Sequence, residues 1–457
     1  MKATLSKKLI SLANKLPCPL YIVGGRVRDY IANLNAGSID TDLSAPVSAE
    51  EFSRIAKEEG IGTDATYKNT GTVKITVDGE WCEFTCFRSD EYVRGEHRPA
   101  ATYFTDDINL DARRRDFKCN AVYYDIAADK FVDPLGGIED IKANRITTVA
   151  PAKKVFGEDG LRLMRLARIA AQTGFVPDSE CLKGARENSE LIKDISAERI
   201  FAELSAILSS DLKYGCADGP YRGLKILQEI NVLEKILPEL TAGAGLDQRK
   251  DFHKYDVLEH SLRAVKYASA EIRLAALLHD IGKPYCYEKY GKFAGHEDEG
   301  ARMARDICAR LKVSKNLTEE TAELIALHMY DLRCDAKENK ARRFIVRNYA
   351  ISDKLFMLKQ ADYSACKDQT DTAPFVEKYS KILRDMKSEG APFTLKELKL
   401  KGDALIKAGF APADVGKTLE NLLYDCCTGQ VENDAEKLLA RAVKIYLNAD
   451  KGQAKNS

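Results

Sequence analysis

Asp40 and Asp42 are the first side chains in the sequence whose types and spacing suit catalysis. They alternate along an expected strand, so both carboxylates should project from one face. Gly24 and Gly25 form a turn before a helix that carries Arg28. Helix N-termini hold phosphates and carboxylate oxygens bind divalent cations, so this stretch predicts a site for a metal-bound nucleoside triphosphate. An ordinary turn followed by solvated acidic surface is the alternative.

Short strands separated by turns are expected to carry this site. Thr72–Val77 and Trp81–Phe87 flank an Asp-Gly dipeptide, which is a strong hairpin signal. Glu83 on the second of these strands is either a third carboxylate beside the aspartates or an exposed surface residue. The segment Asp90–Phe104 has no periodicity, and we expect either a mobile loop over a site or an inert surface loop.

A dense polar cluster follows. Arg114, Arg115 and Asp116 precede Phe117–Tyr124, which has the composition of a buried strand. Guanidinium groups suit phosphate and sugar oxygens because their donors are planar and permanently charged. The trio is either a nucleotide contact or a surface salt bridge, and a second glycine turn at Asp133–Gly137 favours a site.

Length and composition narrow the setting. The 457 residues are enough for two to four domains. Lys+Arg and Asp+Glu both number 70, so a surface for nucleic acid must be locally basic. No apolar stretch approaches the roughly 20 residues of a membrane span, and the amphipathic start leaves no room for a removable leader. The twelve cysteines form no CxxC pair, so we expect free thiols in a cytoplasmic protein.

Four motifs in order, GGRVRD, IDTDL, DARRRDFKCNA and DPLGGIEDI, resemble the head of the class II tRNA nucleotidyltransferases. That family includes CCA-adding enzymes and bacterial poly(A) polymerases. The resemblance implies a small, mainly β head in which Asp40 and Asp42 hold Mg²⁺ while Gly24, Gly25 and Arg28 grip the triphosphate. It also implies ribose and phosphate contacts by Arg114, Arg115, Asp116, Phe117 and Asn120.

Helical spacing predicts one continuous helix over residues 154–171, on which Asp159 and Arg162 share a face. They form either a surface ion pair or a base reader. A carboxylate beside a guanidinium would match the amino group and ring nitrogen that cytosine and adenine share, and an unmatched buried group costs roughly 1–3 kcal/mol. The EDGLR segment resembles the family's amino-acid template, with Arg165 and Arg168 completing the nucleotide-binding residues.

The segment Ser196–Leu208 also resembles the neck helix of this family. Within it, we expect Glu198 and Arg199 to serve in packing and ion pairing.

Five of the six histidines fall between positions 253 and 328. Imidazole with carboxylate suits Mn, Fe, Ni, Co or Zn and, less well, Mg. The pattern resembles the HD superfamily of metal-dependent phosphohydrolases, and it implies a second divalent metal site. Such a domain either hydrolyses phosphomonoesters or 2′,3′-cyclic phosphates or serves only as a scaffold. The implied ligands are His260, His279, Asp280, His296, His328 and Asp362.

The sequence therefore predicts an α+β protein whose small mixed β head precedes a mostly helical remainder. The expected regions are a head at 1–150, a neck at 151–240, an HD-type domain at 241–370 and a helical tail at 371–457. The tail segment 400–419 resembles the tRNA-contacting tail of CCA-adding enzymes, although residues 412–416 lack one of the usual glycines.

The expected activity is addition of C, C and A to tRNA from CTP and ATP, with HD-domain phosphohydrolysis as a further activity. The expected partners are tRNA and the two nucleotides, with no membrane and no obligate protein partner. The alternatives are a poly(A) polymerase, a CC-adding or A-adding enzyme, or a metal-dependent phosphohydrolase whose head only binds RNA.

Overall fold

The computed structural model describes residues 1, 4–34, 41–67, 70–91, 100–249 and 251–447. Asp40 lies outside the described residues, as does most of the expected loop at 90–104. The chain divides into two compact units. The first contains Met1–Asp247, Asp256–Lys266 and Met303–Thr318, and the second contains Gln248–Tyr255, Tyr267–Arg302 and Glu319–Ser457.

A mixed sheet dominates the N-terminal part of the first unit. The strands are β1 Tyr21–Val23, β2 Thr41–Ala45, β3 Gly62–Tyr67, β4 Thr72–Val77, β5 Glu80–Cys86, β6 Arg88–Glu91, β7 Ala101–Phe104, β8 Tyr123–Asp125, β9 Lys130–Val132, β10 Arg145–Ile146 and β11 Val176–Pro177. Seven of them form one sheet in the order β3-β4-β5-β2-β1-β8-β9. The β2–β5 pair is parallel and the other neighbours in this sheet are antiparallel.

Local chemistry explains the predicted hairpin. Asp78 and Gly79 join β4 to β5 with φ of 50° and 86°, the left-handed geometry that a two-residue hairpin loop requires. Phe84 on β5 stacks on Phe52, with ring centroids 3.7 Å apart. Burying these rings ties a helix to one face of the sheet. The helices of this region are α1 Lys7–Lys15, α2 Gly25–Ile31, α3 Ala49–Glu58, α4 Ile108–Arg113 and α5 Gly137–Lys142.

Helices follow the sheet in the first unit. They are α6 Ala152–Glu158, α7 Leu161–Thr173, α8 Ser179–Glu187, α9 Ala197–Leu208, α10 Ser210–Tyr214, α11 Gly219–Glu229, α12 Leu233–Ile236, α13 Pro238–Thr241 and α14 Val257–Tyr267. Helix α11 packs closely on α7 because Gly219 has no side chain. A Cβ there would collide with the carbonyl oxygen of Ala171.

The second unit is helical, and α14, α17 and α18 contribute residues to both units. The remaining helices are α15 Arg273–Leu278, α16 Gly282–Tyr290, α17 His296–Arg310, α18 Lys315–Leu327, α19 Glu338–Arg347, α20 Ser352–Lys367, α21 Pro374–Ser388, α22 Gly402–Lys407, α23 Pro412–Cys427 and α24 Ala435–Ala442. Short 3-10 segments occur in both units. Those of the first unit are Lys118–Asn120 and Ser189–Asp194, and those of the second are Ala270–Ile272, Tyr349–Ile351 and Leu395–Glu397. The altered tail motif at 412–416 occupies the start of α23.

Two predicted elements are wrong. The continuous helix over 154–171 is broken, because Asp159 is extended (φ −148°, ψ 112°) and its carboxylate caps the next helix at the amide of Leu161. Gly160 fits there because a Cβ would lie 2.5 Å from the carbonyl oxygen of Leu191. The buried strand expected at Phe117–Tyr124 is a 3-10 turn followed by the short strand β8.

The predicted α+β class, with a mixed-sheet head and a mostly helical remainder, is confirmed. In the described part of the chain, no helix has both the length and the apolar character needed to cross a membrane.

Candidate functional site

Asp42 is an exposed residue near the middle of the seven-stranded sheet. It pairs with Val23 on β1 and with Glu83 on β5. Side chains at paired positions of neighbouring strands share a face, so Glu83 lies beside Asp42. Glu83 is exposed, as one of its two alternatives expected, and this register also places its carboxylate next to that of Asp42. Hard oxygen donors in this arrangement suit Mg²⁺.

The turn before α2 is shaped around Asp42. Gly24 has φ of +81° and ψ of −143°, a conformation that is essentially confined to glycine. A Cβ on Gly24 would lie 3.0 Å from Oδ2 of Asp42. Both the backbone conformation and the available space therefore require glycine at this position.

Two adjoining cavities open next to Asp42, with volumes of about 510 and 280 Å³. They share Asp42, Arg88, Arg114 and Arg115 in their linings. The smaller one collects most of the predicted head and neck residues. Its lining includes Gly24, Gly25, Asp42, Arg114, Arg115, Asp116, Asn120, Asp159, Arg162 and Arg165.

Asp111 holds the two neighbouring arginines of this cleft. Its buried carboxylate accepts hydrogen bonds from Nε of Arg114 at 2.7 Å, from Nη2 of Arg115 at 3.1 Å and from the hydroxyl of Tyr123 at 2.6 Å. Burial raises the pKa of Asp111, but the charges of Arg115 and Arg114 and the Tyr123 hydroxyl outweigh it and lower that pKa to about 2. Asp111 was not among the predicted site residues, although its spacing from the arginines places all three on one helical face.

Asp116 performs the same task for Arg165. Its carboxylate accepts from Nε of Arg165 at 2.6 Å and from the backbone amide of Phe117 at 2.8 Å. Burial raises the pKa of Asp116, yet the positive charges of Arg165 and Arg162 lower it to about 2. The ionised carboxylate thus fixes a cationic side chain inside the cleft.

Arg28 was predicted to bind the triphosphate, but in the structure its guanidinium is bonded to protein groups. The guanidinium is buried and donates to Asp29 at 2.8 Å, to Asn120 at 2.8 Å and to the hydroxyl of Tyr214 at 3.3 Å. It lies beside the turn, with Nη2 3.5 Å from where a Cβ on Gly25 would be. Arg28 therefore holds the side chain of Asn120 and lies against the glycine turn.

Arg162 is also engaged with protein groups. Its guanidinium donates to Glu158 at 2.6 Å and to the carbonyl oxygens of Val155 and Arg114 at 2.9 and 2.8 Å. Since Asp159 sits in the break between α6 and α7, the two predicted base readers are not one turn apart on a helix. Both nevertheless line the smaller cavity.

Arg199 and Asp159 form an ion pair at 3.8 Å in the same cavity. The sequence predicted Arg199 only as a packing or ion-pairing residue, and its partner is the predicted base reader. Its side chain is 45% exposed, against 6% for Arg162, so Arg199 is the more accessible guanidinium.

Arg168 lies outside the residues that line the two cavities. Its Nε donates to Glu203 at 2.7 Å, and burial together with the charge of Arg165 lowers its pKa. Arg88 and Asp90 were missed from sequence, yet both line the smaller cavity and pair at 3.1 Å. Their only sequence signal was their position just after the hairpin.

The second unit contains a buried cluster of histidines around one carboxylate. Nε2 of His279 and Nε2 of His296 each lie 3.2 Å from Asp280. Nε2 of His328 lies 3.2 Å from that of His296, and Asp362 lies 3.6 Å from His279. Five of the six predicted HD ligands belong to this cluster in the second unit. His260 is buried on α14, in the first unit.

Each of these three histidines is oriented by a backbone carbonyl group three residues earlier in the chain. Nδ1 lies 2.8, 2.8 and 2.6 Å from the carbonyl oxygens of Ala276, Phe293 and Ile325, respectively. Such bonds direct Nε2 toward a metal and are typical of metal-binding histidines. The donor set of imidazoles and carboxylates fits a divalent transition metal.

Comparison with known proteins agrees with these features. Residues 20–147 match the profile described as "Poly A polymerase head domain", residues 257–364 match "HD domain", and residues 174–243 match "Probable RNA and SrmB- binding site of polymerase A". The A-adding tRNA nucleotidyltransferase of Deinococcus radiodurans is 30% identical over 366 residues, which cover 76% of each chain. The chain belongs to the class II tRNA nucleotidyltransferase family. The predictions of this family and of an HD domain are confirmed.

Two further tRNA nucleotidyltransferase relatives extend the comparison. The multifunctional CCA protein of Neisseria gonorrhoeae is 31% identical over 323 residues, which cover 67% of this chain and 72% of that protein. The crystal structure of the Bacillus stearothermophilus CCA-adding enzyme in complex with CTP has the same fold, with a TM-score of 0.68 and 21% identity over 99% of this chain and 100% of that one. The nucleotidyltransferase and HD families both imply the use of divalent metal ions.

Proposed function

We propose that this protein adds C, C and A to the 3′ end of tRNA from CTP and ATP without a nucleic-acid template. The cleft in which Asp42 shares cavities with Arg114 and Arg115 carries this proposal, because it joins metal-binding oxygens to phosphate-binding guanidiniums. The names of the relatives, which include an A-adding and a CCA-adding enzyme, support tRNA as the acceptor.

In the proposed reaction, the terminal 3′-oxygen of tRNA bonds to the α-phosphorus of the nucleotide. The bond to pyrophosphate breaks and the hydroxyl proton passes to solvent. Asp40 and Asp42, with Glu83 beside Asp42, would hold Mg²⁺. Magnesium bound there would ease ionisation of the hydroxyl and neutralise the departing pyrophosphate. Arg114 and Arg115, fixed by Asp111, bind the phosphates and ribose.

Asp159 and Arg162 are the proposed base readers. A base could use the Arg162 guanidinium only after it turns away from Glu158, whereas Arg199 is already half exposed beside Asp159. Separate Arg162→Ala and Arg199→Ala variants identify the acting guanidinium by the ratio of CTP and ATP to UTP and GTP incorporation. A ratio unchanged in both variants would contradict base reading by this carboxylate–guanidinium group.

The main experiment supplies the protein with tRNA lacking its CCA end or with tRNA ending in CC, offers each nucleotide singly and all four mixed, and sequences the products. Full CCA ends made from CTP and ATP support the proposal. Products that stop at CC would contradict it, as would a single A added only to tRNA ending in CC. The second outcome is the specific alternative raised by the A-adding relative. A long ATP-only product would identify a poly(A) polymerase.

We further propose that the HD cluster binds Mn, Ni, Co, Fe or Zn and hydrolyses phosphate esters, with 2′,3′-cyclic phosphates as substrates. In this step a water oxygen bonds to phosphorus, one ribose oxygen leaves, and that oxygen takes up a proton. The buried donor set around Asp280 carries the proposal. A metal bound there would lower the pKa of the attacking water.

The HD proposal is tested by metal-dependent opening of 2′,3′-cyclic nucleotides. His279→Ala should abolish it, while Asp42→Asn should leave it unchanged because that residue belongs to the transferase cleft. Hydrolysis that survives His279→Ala would contradict the proposed centre. Hydrolysis by a protein that never extends tRNA would support the alternative of a phosphohydrolase with an RNA-binding head.

A cytoplasmic setting is part of the proposal. All twelve cysteines are free thiols, which fits a reducing compartment. The regional boundaries at 150, 240 and 370 stay a prediction. The matches at 20–147 and 257–364 lie within the proposed head and HD-type domain, and the match at 174–243 extends past the boundary at 240.

A further inference from the structure

Helix α16 exposes an unusual number of tyrosines. Tyr285, Tyr287 and Tyr290 are 37%, 49% and 55% exposed, and all three lie within six residues of one another. Exposed aromatic clusters on a folded protein mark interaction sites. None of these tyrosines has a role in the two proposed reactions.

One pair of rings connects this surface to the HD cluster. Tyr287 contacts the half-buried ring of Phe293, with centroids 5.5 Å apart. The ammonium of Lys283 lies 5.7 Å from the centroid of Phe293 and donates to the carboxylate of Asp280 at 2.7 Å. The carbonyl oxygen of Phe293 lies 2.8 Å from Nδ1 of His296.

Phe293 is therefore adjacent to the metal-ligand cluster, and Tyr287 packs against Phe293. Lys283 and Tyr287 are four residues apart, so they lie on one face of α16, about 6 Å apart along the axis. A phosphate near Asp280 and Lys283 would leave the base of the same nucleotide within reach of Tyr287 and Phe293.

We propose that Tyr287 and Phe293 form a stacking platform for the terminal base of a single-stranded RNA whose phosphate enters the HD cluster. This inference rests on the proposed HD-domain function and names its substrate class, a 3′-terminal nucleotide that carries a base rather than a phosphate ester without one. Aromatic side chains bind bases of any sequence by stacking, and nearby cations attract the phosphate.

The local charge also bears on the kind of partner. Lys283, Lys289 and Lys292 are offset by acidic residues on and after α16, namely Glu288, Glu297, Asp298 and Glu299. Binding here must therefore depend on base stacking and on Lys283 rather than on a large positively charged surface. We expect a weaker salt dependence than that of a basic nucleic-acid surface.

The test uses the full chain loaded with Mn²⁺ and compares Tyr287→Ala, Tyr287→Phe and Tyr285→Ala. Tyr285 is the matched control, because it is an exposed tyrosine on the same helix, about 200° around the axis from Tyr287. The probes are adenosine 2′,3′-cyclic phosphate, which carries a base, and inorganic phosphate, which does not. Calorimetry measures their dissociation constants, and phosphate-ester opening gives KM and kcat.

Tyr287→Ala should raise the Kd and KM of the cyclic nucleotide about tenfold, with kcat and the Kd of inorganic phosphate unchanged. Tyr287→Phe and Tyr285→Ala should match the parent protein. Equal cyclic-nucleotide binding by Tyr287→Ala and the parent would overturn the platform and leave the tyrosines as a protein-contact surface. Equal loss of inorganic phosphate binding would overturn it too, since that result indicates damage to the cluster.

Failure of the underlying HD proposal gives a different result. In that case the parent protein would bind no Mn²⁺, or would bind it without opening the cyclic phosphate. The nucleotide Kd still decides on the platform when turnover is absent. A parent protein that binds inorganic phosphate but shows no added affinity for the cyclic nucleotide would refute stacking.

Discussion

Replacement of Asp111 by asparagine should destabilise the first unit and weaken nucleotide binding. Asn keeps the shape of the side chain but removes the charge that pairs with Arg114 and Arg115. The carboxylate is completely buried, so water cannot replace the lost negative charge beside the two guanidinium groups. The perturbation therefore acts on a buried carboxylate that accepts hydrogen bonds from Arg114, Arg115, Tyr123 and the backbone amide of Arg88.

The magnitude follows from the pKa of Asp111. Lowering from the ordinary value of 3.8 to about 2 corresponds to about 2.5 kcal/mol of stabilisation at neutral pH. Removing one member of a buried pair costs about 3–5 kcal/mol, and the retained amide oxygen offsets part of it. We expect Asp111→Asn to lower the free energy of unfolding by about 2–4 kcal/mol.

Urea unfolding between pH 7 and the lowest pH at which the protein stays folded measures this effect. Because the folded-state pKa is depressed, the stabilisation by Asp111 is fully present above about pH 4 and is lost as pH falls toward about 2. The difference between parent and variant should thus be constant from pH 7 to pH 5 and shrink below pH 4.

Asp106→Asn is the matched control, since Asp106 is an exposed aspartate of the same region outside the cleft. It should change stability by less than about 0.5 kcal/mol. Asp111→Asn should also raise KM for CTP and ATP, because Arg114 and Arg115 lose their common support. A stability loss as small as that of the control, or one that grows as pH falls below 4, would refute the reasoning.

Two further changes probe the turn and its support. Gly24→Ala should reduce kcat strongly by displacing the carboxylate of Asp42 and should cost about 1–3 kcal/mol of backbone strain. Gly60→Ala is the control, because Gly60 also has a positive φ of +71° but its added Cβ would meet no neighbouring side chain within 4 Å. This variant should lose stability but keep activity. Tyr214→Phe removes a hydrogen bond to Asp29 and should lower the free energy of unfolding by about 1–2 kcal/mol in urea. Unchanged kcat in the first variant or unchanged stability in the last would contradict these roles.

The sequence predicted the features that depend on residues close together in the chain. The Asp78-Gly79 hairpin needs only two residues that accept positive φ. The spacing of Asp111 from the two following arginines could have revealed their shared helical face, because that contact also depends on near neighbours. The helix break at Asp159 was missed because the periodic apolar pattern continues through it, and the close approach of Leu191 to Gly160 joins parts of the chain about 30 residues apart.

Contacts between distant parts of the chain could not be predicted in this way. Glu83 lies beside Asp42 only because β2 and β5 pair in parallel, which requires a crossover between them. The burial of Arg28 depends partly on Tyr214, which is 186 residues farther along the chain. Histidine and aspartate types indicated the HD cluster, but the lysine that contacts Asp280 and the adjoining aromatic pair emerged only in three dimensions.

The central claim is that Asp42 holds the catalytic metal of nucleotide transfer. The direct measurement is incorporation of labelled CMP and AMP into tRNA lacking its CCA end by Asp42→Asn, with Asp106→Asn as control. Asp42 is exposed, so its urea unfolding curve should match that of the parent protein while incorporation is abolished. Incorporation by Asp42→Asn at the parental rate would contradict the assignment of this cleft as the transferase site.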